Sequence, residues 1–169
     1  MLSVVIETKN DEEGLARTLA SLVGGAVEGV VREVIVCDRG SSDQTSRVAE
    51  HAGCHYIGQG GVGAGIKLAR SDWLLMLEPG ARLGDGWTDE VMGHTSRQTL
   101  PARFSKAKAS REPFFARLFT RQRPLAEGLV ITKRQAASLA GKVAEAEALA
   151  RGVSAKKLDA EIWVAPRKG

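Results

Sequence analysis

Four short segments place polar or glycine residues directly after apolar stretches, and these are the positions where this sequence could perform chemistry. They span residues 7–12, 38–43, 58–65 and 78–82. Each follows a predicted β-strand, and three of these four strands are rich in valine, isoleucine or leucine. In an open α/β sheet, ligands bind beyond the carboxyl ends of the strands. We therefore expect the ligand-binding residues of this protein to lie in these segments.

The elements that must position these segments alternate between strand and helix in the first half of the chain. Apolar runs predict strands over 3–7, 30–37, 54–57 and 73–77. The first helix is predicted to begin at Asn10 and to end at the pair Gly24-Gly25. Such alternation favours an α/β fold, with a mostly parallel sheet covered by helices on both faces.

The second half of the chain gives weaker signals. Its patterns predict helices over 88–94, 114–119, 133–140 and 144–151, and strands over 125–132 and 161–165. No repeat and no domain boundary interrupts the sequence.

Length and composition are those of one globular domain. The chain has 169 residues, of which 43% are hydrophobic and 26% charged, and these values exclude a disordered or collagen-like protein. No apolar run approaches the roughly 20 residues of a membrane span, and the first residues lack the basic region of a signal peptide. We expect a cytoplasmic protein in which Cys37 and Cys54 are reduced, buried thiols.

Three of the segments together resemble the family 2 glycosyltransferases. Residues 3–12 resemble the motif V-V-I-P-T-Y-N-E-E, residues 33–45 resemble E-V-I-V-V-D-D-G-S-T-D-G-T, and residues 69–80 resemble A-R-G-D-W-L-L-F-L-D-A-D. The resemblance is close over 1–92 and weak over 93–169. It implies a single domain over 1–169 with a GT-A-like (nucleotide-diphospho-sugar transferase) fold. It also implies inverting transfer of a sugar from a nucleotide-diphosphate donor to an unknown acceptor.

The resemblance assigns roles to residues at the strand ends. Thr8 and Glu12 would contact the nucleoside, as would Asp38, which matches the first acidic position after the second strand. Glu78 matches the first acid of the D-x-D motif, so it would hold a divalent metal, Mn²⁺ or Mg²⁺.

Two departures from the family motifs affect the diphosphate site. Arg39 replaces the second aspartate of the D-D pair, and Gly80 replaces the second acid of D-x-D. A single glutamate holds Mg²⁺ or Mn²⁺ poorly, because these hard cations need several oxygen ligands. Arg39 or Lys9 could instead contact the diphosphate directly, with fixed positive charge in place of the metal.

The catalytic base has only a weak match in the sequence. Glu145 and Glu147 are the candidates, because the family supplies its base from an acidic motif in the downstream half. The departures leave open a second hypothesis, in which the chain is a binding or scaffold protein on the same fold and has lost catalysis.

A glycine-rich turn allows a third hypothesis. Residues 58–63 fit the pattern G-x-G-x-x-G after a predicted strand, as in dinucleotide-binding oxidoreductases. The favoured interpretation is a flexible turn beneath a substrate-binding surface. The three histidines have no ligand spacing with the cysteines, so no zinc site is expected.

Positive charge is concentrated between residues 103 and 123, where seven lysines and arginines accompany one glutamate. This basic segment predicts an anionic partner. The apolar residues of 114–119 have helical spacing, and they either face the core or lie on an anionic membrane surface. The second arrangement would suit a lipid-linked acceptor and a peripheral position at the inner face of the membrane. No nucleic acid is expected, because no nucleic-acid-binding motif accompanies the charge.

Overall fold

The computed structural model describes residues 1–111, 113–119 and 121–167, without the side chains of Phe114, Arg117 and Phe119. Within these residues the strands are β1 (Leu2–Thr8), β2 (Val31–Asp38), β3 (His55–Ile57), β4 (Trp73–Leu77), β5 (Arg82–Leu83), β6 (Ala102–Lys106), β7 (Leu129–Thr132) and β8 (Lys156–Trp163). The α-helices are α1 (Glu12–Val27), α2 (Thr45–His51), α3 (Gly61–Leu68), α4 (Trp87–Arg97), α5 (Phe114–Phe119), α6 (Lys133–Ala140) and α7 (Ala146–Arg151), and a 3₁₀ turn spans Lys108–Ser110.

Both halves of the chain contribute to one eight-stranded sheet of order β3-β2-β1-β4-β7-β6-β8-β5. The strands β3, β2, β1 and β4 are mutually parallel, as the alternating sequence pattern predicts. Beyond β4 the sheet is mixed, because β7 runs antiparallel to both β4 and β6, whereas β6 and β8 are parallel. The chain adds β2 and β3 on one side of β1 and then places β4 on the other. The carboxyl ends of β1 and β4 therefore form a topological switch point.

Helices cover both faces of the sheet, as predicted. Successive residues of β1 point to opposite faces, so Val4 and Ile6 belong to one hydrophobic core and Val5 belongs to the other. The first core includes Leu15 and Leu22 of α1 with Val91 of α4. The second core includes Ile66 of α3, Ala136 of α6 and Leu149 of α7. Within the described residues, no helix is both long enough and apolar enough to cross a membrane.

The bounds of α1 differ from those that the sequence predicts. Its N-cap is Asp11, whose side chain accepts a hydrogen bond from the Gly14 amide, and not Asn10. The helix also continues through Gly24 and Gly25 to Val27. Gly25 is a packing position, because a Cβ atom there would lie 2.5 Å from Cζ2 of Trp87. The glycine allows α1 to pack against the indole of α4 and does not end the helix.

The glycine-rich turn also has a structural explanation. Gly60 adopts φ +88 and caps the N-terminus of α3, in a conformation that favours glycine. Gly65 lies against β2, where a Cβ atom would come within 2.4 Å of the Cys37 Sγ atom. Both cysteines are free thiols, with Cys37 buried and Cys54 half-buried. These contacts account for the two glycines without a bound dinucleotide.

The second half departs furthest from the predicted elements. The strand β6 has no predicted counterpart, and β8 begins at Lys156, five residues before the predicted strand. Only Leu158 and Ile162 are buried within β8, so this strand lacks the continuous apolar run that marks β4. The strand β7 is shorter than predicted, because residues 124–127 form a turn before it.

Neighbouring glycines in α1 provide a test of this packing. We expect Gly25→Ala to lower the free energy of unfolding by about 1–3 kcal/mol, because the new methyl group collides with Trp87. Gly24→Ala should instead raise it by up to about 1 kcal/mol, because nothing lies within 4 Å of the added atom and alanine favours the helix. Urea denaturation of both variants measures the difference. Equal effects of the two substitutions would contradict the proposed contact.

Candidate functional site

A cleft of about 430 Å³ opens at the switch point, where the carboxyl ends of β1 and β4 meet. We call it the strand-end cleft. The first half of the chain lines it with Glu7, Thr8, Lys9, Asp11, Arg39, Glu78 and Pro79. The second half adds Arg121, Arg123, Leu125, Ala146, Glu147, Ala165, Pro166 and Arg167. Both halves of the chain are therefore needed to build this site.

Charged groups of both signs line the strand-end cleft. Its cations are Lys9, Arg39, Arg121, Arg123 and Arg167, and its acids are Glu7, Asp11, Glu78 and Glu147. A group of arginines and a lysine around one cleft favours an anionic ligand, because guanidinium groups make paired hydrogen bonds to phosphate or carboxylate oxygens.

The central contact of the cleft is an ion pair between Glu78 and Arg123. Arg123 donates through Nε to Glu78 Oε1 at 3.2 Å, and its Nη2 contacts Oε2 of the same carboxylate. The guanidinium also donates to the carbonyl oxygen of Ala165, with both Nη atoms at 3.1 Å. Both side chains are mostly buried. Arg123 thus connects the end of β4 to the chain segment that follows β8.

Glu147 lies beside this ion pair. Burial, a hydrogen bond shared with Glu78 and the negative charge of Glu78 together raise the pKa of Glu147 to about 7. The backbone N–H of Leu125, which donates to Glu147 at 3.3 Å, and the charge of Arg123 oppose the shift. A carboxyl with a pKa near neutrality is suited to accept a proton during a reaction.

Two buried oxygens in the cleft have no hydrogen-bond partner in the described part of the chain. They are Oε2 of Glu7 and Oγ1 of Thr8. The other Glu7 oxygen, Oε1, accepts a hydrogen bond from the backbone N–H of Ala146 at 3.2 Å. Burial and the nearby charge of Glu145 raise the pKa of Glu7, against the effects of the Ala146 and Val62 backbone N–H groups and of Arg39. Buried polar atoms rarely stay unpaired, so these two oxygens indicate a place for donors from a ligand or water.

Arg39 and Glu145 form a second ion pair at the edge of the cleft. Arg39 Nη2 donates to Glu145 Oε1 at 2.8 Å, and each side chain is about half exposed. Arg39 lines the cleft, whereas Glu145 is not among its lining residues. Of the two carboxylates predicted as candidate bases, the structure therefore brings only Glu147 into the cleft.

Asp38 and Glu12 hold the loops beside the cleft and do not line it. Asp38 accepts hydrogen bonds from the Ser41 hydroxyl at 2.5 Å and the Tyr56 hydroxyl at 2.6 Å. Burial acts to raise the pKa of Asp38, but these hydrogen bonds outweigh it and hold the pKa below its usual value. Glu12 accepts a hydrogen bond from the Gln44 backbone N–H at 3.0 Å and so joins α1 to the loop after β2.

The residues do not fit a divalent metal. Glu78, the predicted metal ligand, has both carboxylate oxygens engaged by Arg123. Across residues 1–111, 113–119 and 121–167, no group of three or more His, Cys, Asp or Glu side chains is arranged to hold a metal ion. The position that an acid would occupy two residues after Glu78 is Gly80. Positive charge at this site comes from the lysine and arginines that line the cleft.

Several residues of the cleft carry no specific signal in the sequence. Arg121 and Arg123 belong to the basic segment, but nothing in their spacing indicates that they return to the end of β4. Arg167 follows the last strand without a motif. Glu7 had a usable signal, because it is an acid at the carboxyl end of β1, at the position of the family proline.

Apart from Arg121 and Arg123, the described residues of the basic segment do not line the cleft. Phe104 is fully buried in β6, and α5 forms where it is predicted. Its side chains Phe115 and Leu118 are exposed, whereas Glu112 and the side chains of Phe114, Arg117 and Phe119 lie outside the described residues. The membrane-facing arrangement of this helix stays a prediction.

The fold is that of the GT-A-type glycosyltransferases. Glucosyl-3-phosphoglycerate synthase from Mycobacterium tuberculosis matches over 100% of this chain and 72% of that chain, with a TM-score of 0.62 and 15% identity. Mannosyl-3-phosphoglycerate synthase from Rubrobacter xylanophilus matches over 99% of this chain and 68% of its own chain, with a TM-score of 0.64 and 14% identity. Residues 1–349 of TarS from S. aureus match over 97% of this chain and 60% of that chain, with a TM-score of 0.67 and 14% identity.

Glycosyl transferase family 2 is the family whose model matches this chain, over residues 3–79. This range contains the first two motifs and nearly all of the third. The resemblance to the family 2 glycosyltransferases is thereby confirmed for this part of the chain. No curated protein matches the chain in sequence.

The raised pKa of Glu147 predicts a pH dependence of stability. Between an ordinary value of 4.5 and about 7, the folded chain holds a proton on Glu147 that the unfolded chain has released. The free energy of unfolding therefore falls as the pH rises through this range. Glu147→Gln should show a smaller fall, which urea denaturation at about pH 5 and about pH 8 measures. Glu145→Gln is the control, and its free energy of unfolding should fall as much as that of the wild type. An equal fall in all three proteins would contradict the assignment.

Proposed function

We propose that this chain is a glycosyltransferase that binds a nucleotide-diphosphate sugar in the strand-end cleft and transfers the sugar to an acceptor hydroxyl. The observation that carries the proposal is the group formed by Glu78, Arg123 and Glu147 at the carboxyl end of β4. It combines an arginine that an ion pair holds in place with a carboxyl whose pKa is near 7. The family match and the GT-A fold support the same conclusion.

The donor is a nucleotide-diphosphate sugar, and a uridine nucleotide is the first candidate. One similar structure is described as a complex with UDP-glucose, Mn²⁺ and phosphoglyceric acid. In this chain we assign the diphosphate to the cations of the cleft, with Arg39 and Lys9 from the first half and Arg121 from the second. Thr8 retains its predicted role near the nucleoside, because its buried Oγ1 atom lies at the cleft without a protein partner.

Arginine replaces the metal in this proposal. A leaving diphosphate develops negative charge as the bond to the sugar breaks, and a positioned cation stabilises that charge. Arg123 is held in place by Glu78 and by the Ala165 carbonyl before any ligand binds. Its position at the end of β4 is that of the family's metal-binding motif.

Glu147 acts as the base in the proposed reaction. It takes the proton of the acceptor hydroxyl while the hydroxyl oxygen bonds to the anomeric carbon of the sugar. The bond between that carbon and the diphosphate oxygen breaks, and the nucleoside diphosphate leaves with the electron pair. Attack from the side opposite the leaving group inverts the configuration of the anomeric carbon.

Glutamate variants test the proposed base. With water as the acceptor, release of UDP from UDP-glucose needs no knowledge of the natural substrate. We expect Glu147→Gln to lower kcat by about 10²–10⁴-fold, because an amide cannot accept the proton. The wild-type kcat should rise with pH and reach a plateau above about pH 7, the pKa of Glu147.

Glu145→Gln is the matched comparison, because it makes the same change two residues away. It alters the partner of Arg39 and is expected to change KM more than kcat. A larger loss of kcat in Glu145→Gln than in Glu147→Gln would contradict the assignment of the base. Binding of UDP-glucose without turnover would favour the alternative function, a binding protein that has lost catalysis.

A further inference from the structure

A hydrogen bond between Glu7 of β1 and Ala146 of α7 joins the two halves of the chain. Oε1 of Glu7 accepts the backbone N–H of Ala146 at 3.2 Å, although the two residues are 139 positions apart in the sequence. Ala146 is buried and is the first residue of α7, and Glu147 follows it directly. A side chain at the end of β1 therefore holds the start of the helix that carries the proposed base.

The N-cap residue of α7 does not itself cap this helix. The first N–H groups of a helix have no partner within the helix and need acceptors from elsewhere. In the part of the chain that the structure describes, Glu145 is the N-cap, but its side chain makes no capping hydrogen bond. Its carboxylate accepts a hydrogen bond from Arg39 at 2.8 Å instead. Glu7 thus supplies an acceptor for the first turn that the N-cap side chain does not supply.

The first turn of α7 is also where Glu147 lies. Further along the helix, Leu149 and Ala150 are buried in the second core, so packing fixes that part of α7. The Glu147 carboxyl accepts the Leu125 N–H at 3.3 Å and shares a hydrogen bond with Glu78. A small displacement of the first turn would move this carboxyl away from both contacts.

Glu7 occupies a position that is unfavourable for a charge. Burial is the largest effect on Glu7 and raises its pKa, and the charge of Glu145 acts in the same direction. The N–H groups of Ala146 and Val62 and the charge of Arg39 lower the pKa. The family motif has a proline here, whose side chain accepts no hydrogen bond. The glutamate therefore gives β1 an acceptor that a proline would lack.

We propose that Glu7 is a positioning residue, which holds the Glu147 carboxyl in place through its hydrogen bond to Ala146. Glu7 acts through the first turn of α7 and takes no part in the proton transfer itself. The importance of this position for catalysis rests on the proposed function, because Glu147 is the base only in that reaction. The position of the Glu147 carboxyl itself can be measured without turnover.

Two substitutions of similar size separate the hydrogen bond from the charge of Glu7. Glu7→Gln removes the charge and keeps a side-chain oxygen for the Ala146 N–H, whereas Glu7→Met removes the charge and leaves only a weak acceptor. Both side chains have nearly the volume of glutamate, so we expect both variants to fold. Glu7→Leu, which also lacks an acceptor, repeats the test should Glu7→Met be unstable.

NMR titration of the Glu147 carboxyl and hydrogen exchange of the Ala146 amide compare these variants with the wild type. We expect Glu7→Met to lower the pKa of Glu147 from about 7 towards its ordinary value of 4.5, because the carboxyl leaves its buried place beside Glu78. Exchange of the Ala146 amide should become about tenfold faster, since its acceptor is lost. Glu7→Gln should stay close to the wild type in both measurements.

Glu12→Met is the matched control, because it removes a contact of the same kind at another place. Glu12 accepts the Gln44 N–H at 3.0 Å and does not line the strand-end cleft. The pKa of Glu147 and the exchange of Ala146 should therefore stay at their wild-type values in this variant. Equal changes in Glu12→Met and Glu7→Met would indicate a general loosening of the fold and would overturn the proposal.

Hydrolysis of UDP-glucose shows whether the position of Glu147 matters for the reaction. We expect Glu7→Met to lower kcat about 10–100-fold, and more than it raises KM, because the base is displaced while the cations of the cleft remain. Glu7→Gln should recover most of this loss. The rise of kcat with pH should move to a lower pH in Glu7→Met, together with the pKa of Glu147.

Two further results would overturn the proposal. One is a Glu7→Met variant in which the pKa of Glu147 and the exchange of Ala146 equal those of the wild type. The other is an equal loss of UDP affinity in Glu7→Met and Glu7→Gln with the pKa of Glu147 unchanged, which would assign Glu7 to the ligand. If the NMR results are as expected but the wild type shows no turnover, the proposed function is wrong and the positioning by Glu7 stands.

Discussion

A mostly buried ion pair between Glu78 and Arg123 is the interaction on which the site depends. Glu78 lies at the end of a fully apolar strand, where a lone carboxylate would be costly to bury. Arg123 neutralises it and also holds the Ala165 carbonyl, so the end of β4, the loop before β7 and the segment after β8 meet at one guanidinium. Removing either partner would leave the other charge buried and the cleft without its fixed geometry.

In the proposed function, this arrangement would allow a chain with incomplete family motifs to bind a diphosphate. The family places acids at this strand end to hold a metal, and this chain retains one acid and adds an arginine across from it. The same pair sets the environment of Glu147, whose neighbours are one negative and one positive group. In the proposed reaction, one cluster of side chains would then both stabilise the charge of the leaving group and accept the proton of the acceptor, without a metal ion.

Much of the first half could be predicted, because its strands are continuous apolar runs and its strand-end motifs resemble those of a known family. The cleft at Thr8, Arg39 and Glu78 follows from the rule for the carboxyl ends of parallel strands. The contributions of Arg123 and Glu147 could not be predicted in detail, because they depend on long-range packing of a half-buried, charge-rich region. The predicted end of α1 at Gly24-Gly25 was wrong for a related reason. Gly25 is required by its contact with Trp87 of another helix, which the sequence of α1 alone does not reveal.

The central claim is that the lysine and arginines of the strand-end cleft, and not a metal ion, neutralise the diphosphate. Titration of the wild-type protein with UDP, once with a chelator and once with Mn²⁺, tests it most directly. We expect binding in the presence of the chelator, with an affinity that Mn²⁺ leaves unchanged and that substitution of the exposed, cleft-lining Arg121 by Met lowers. Binding that requires Mn²⁺ and is unaffected by Arg121→Met would contradict the claim.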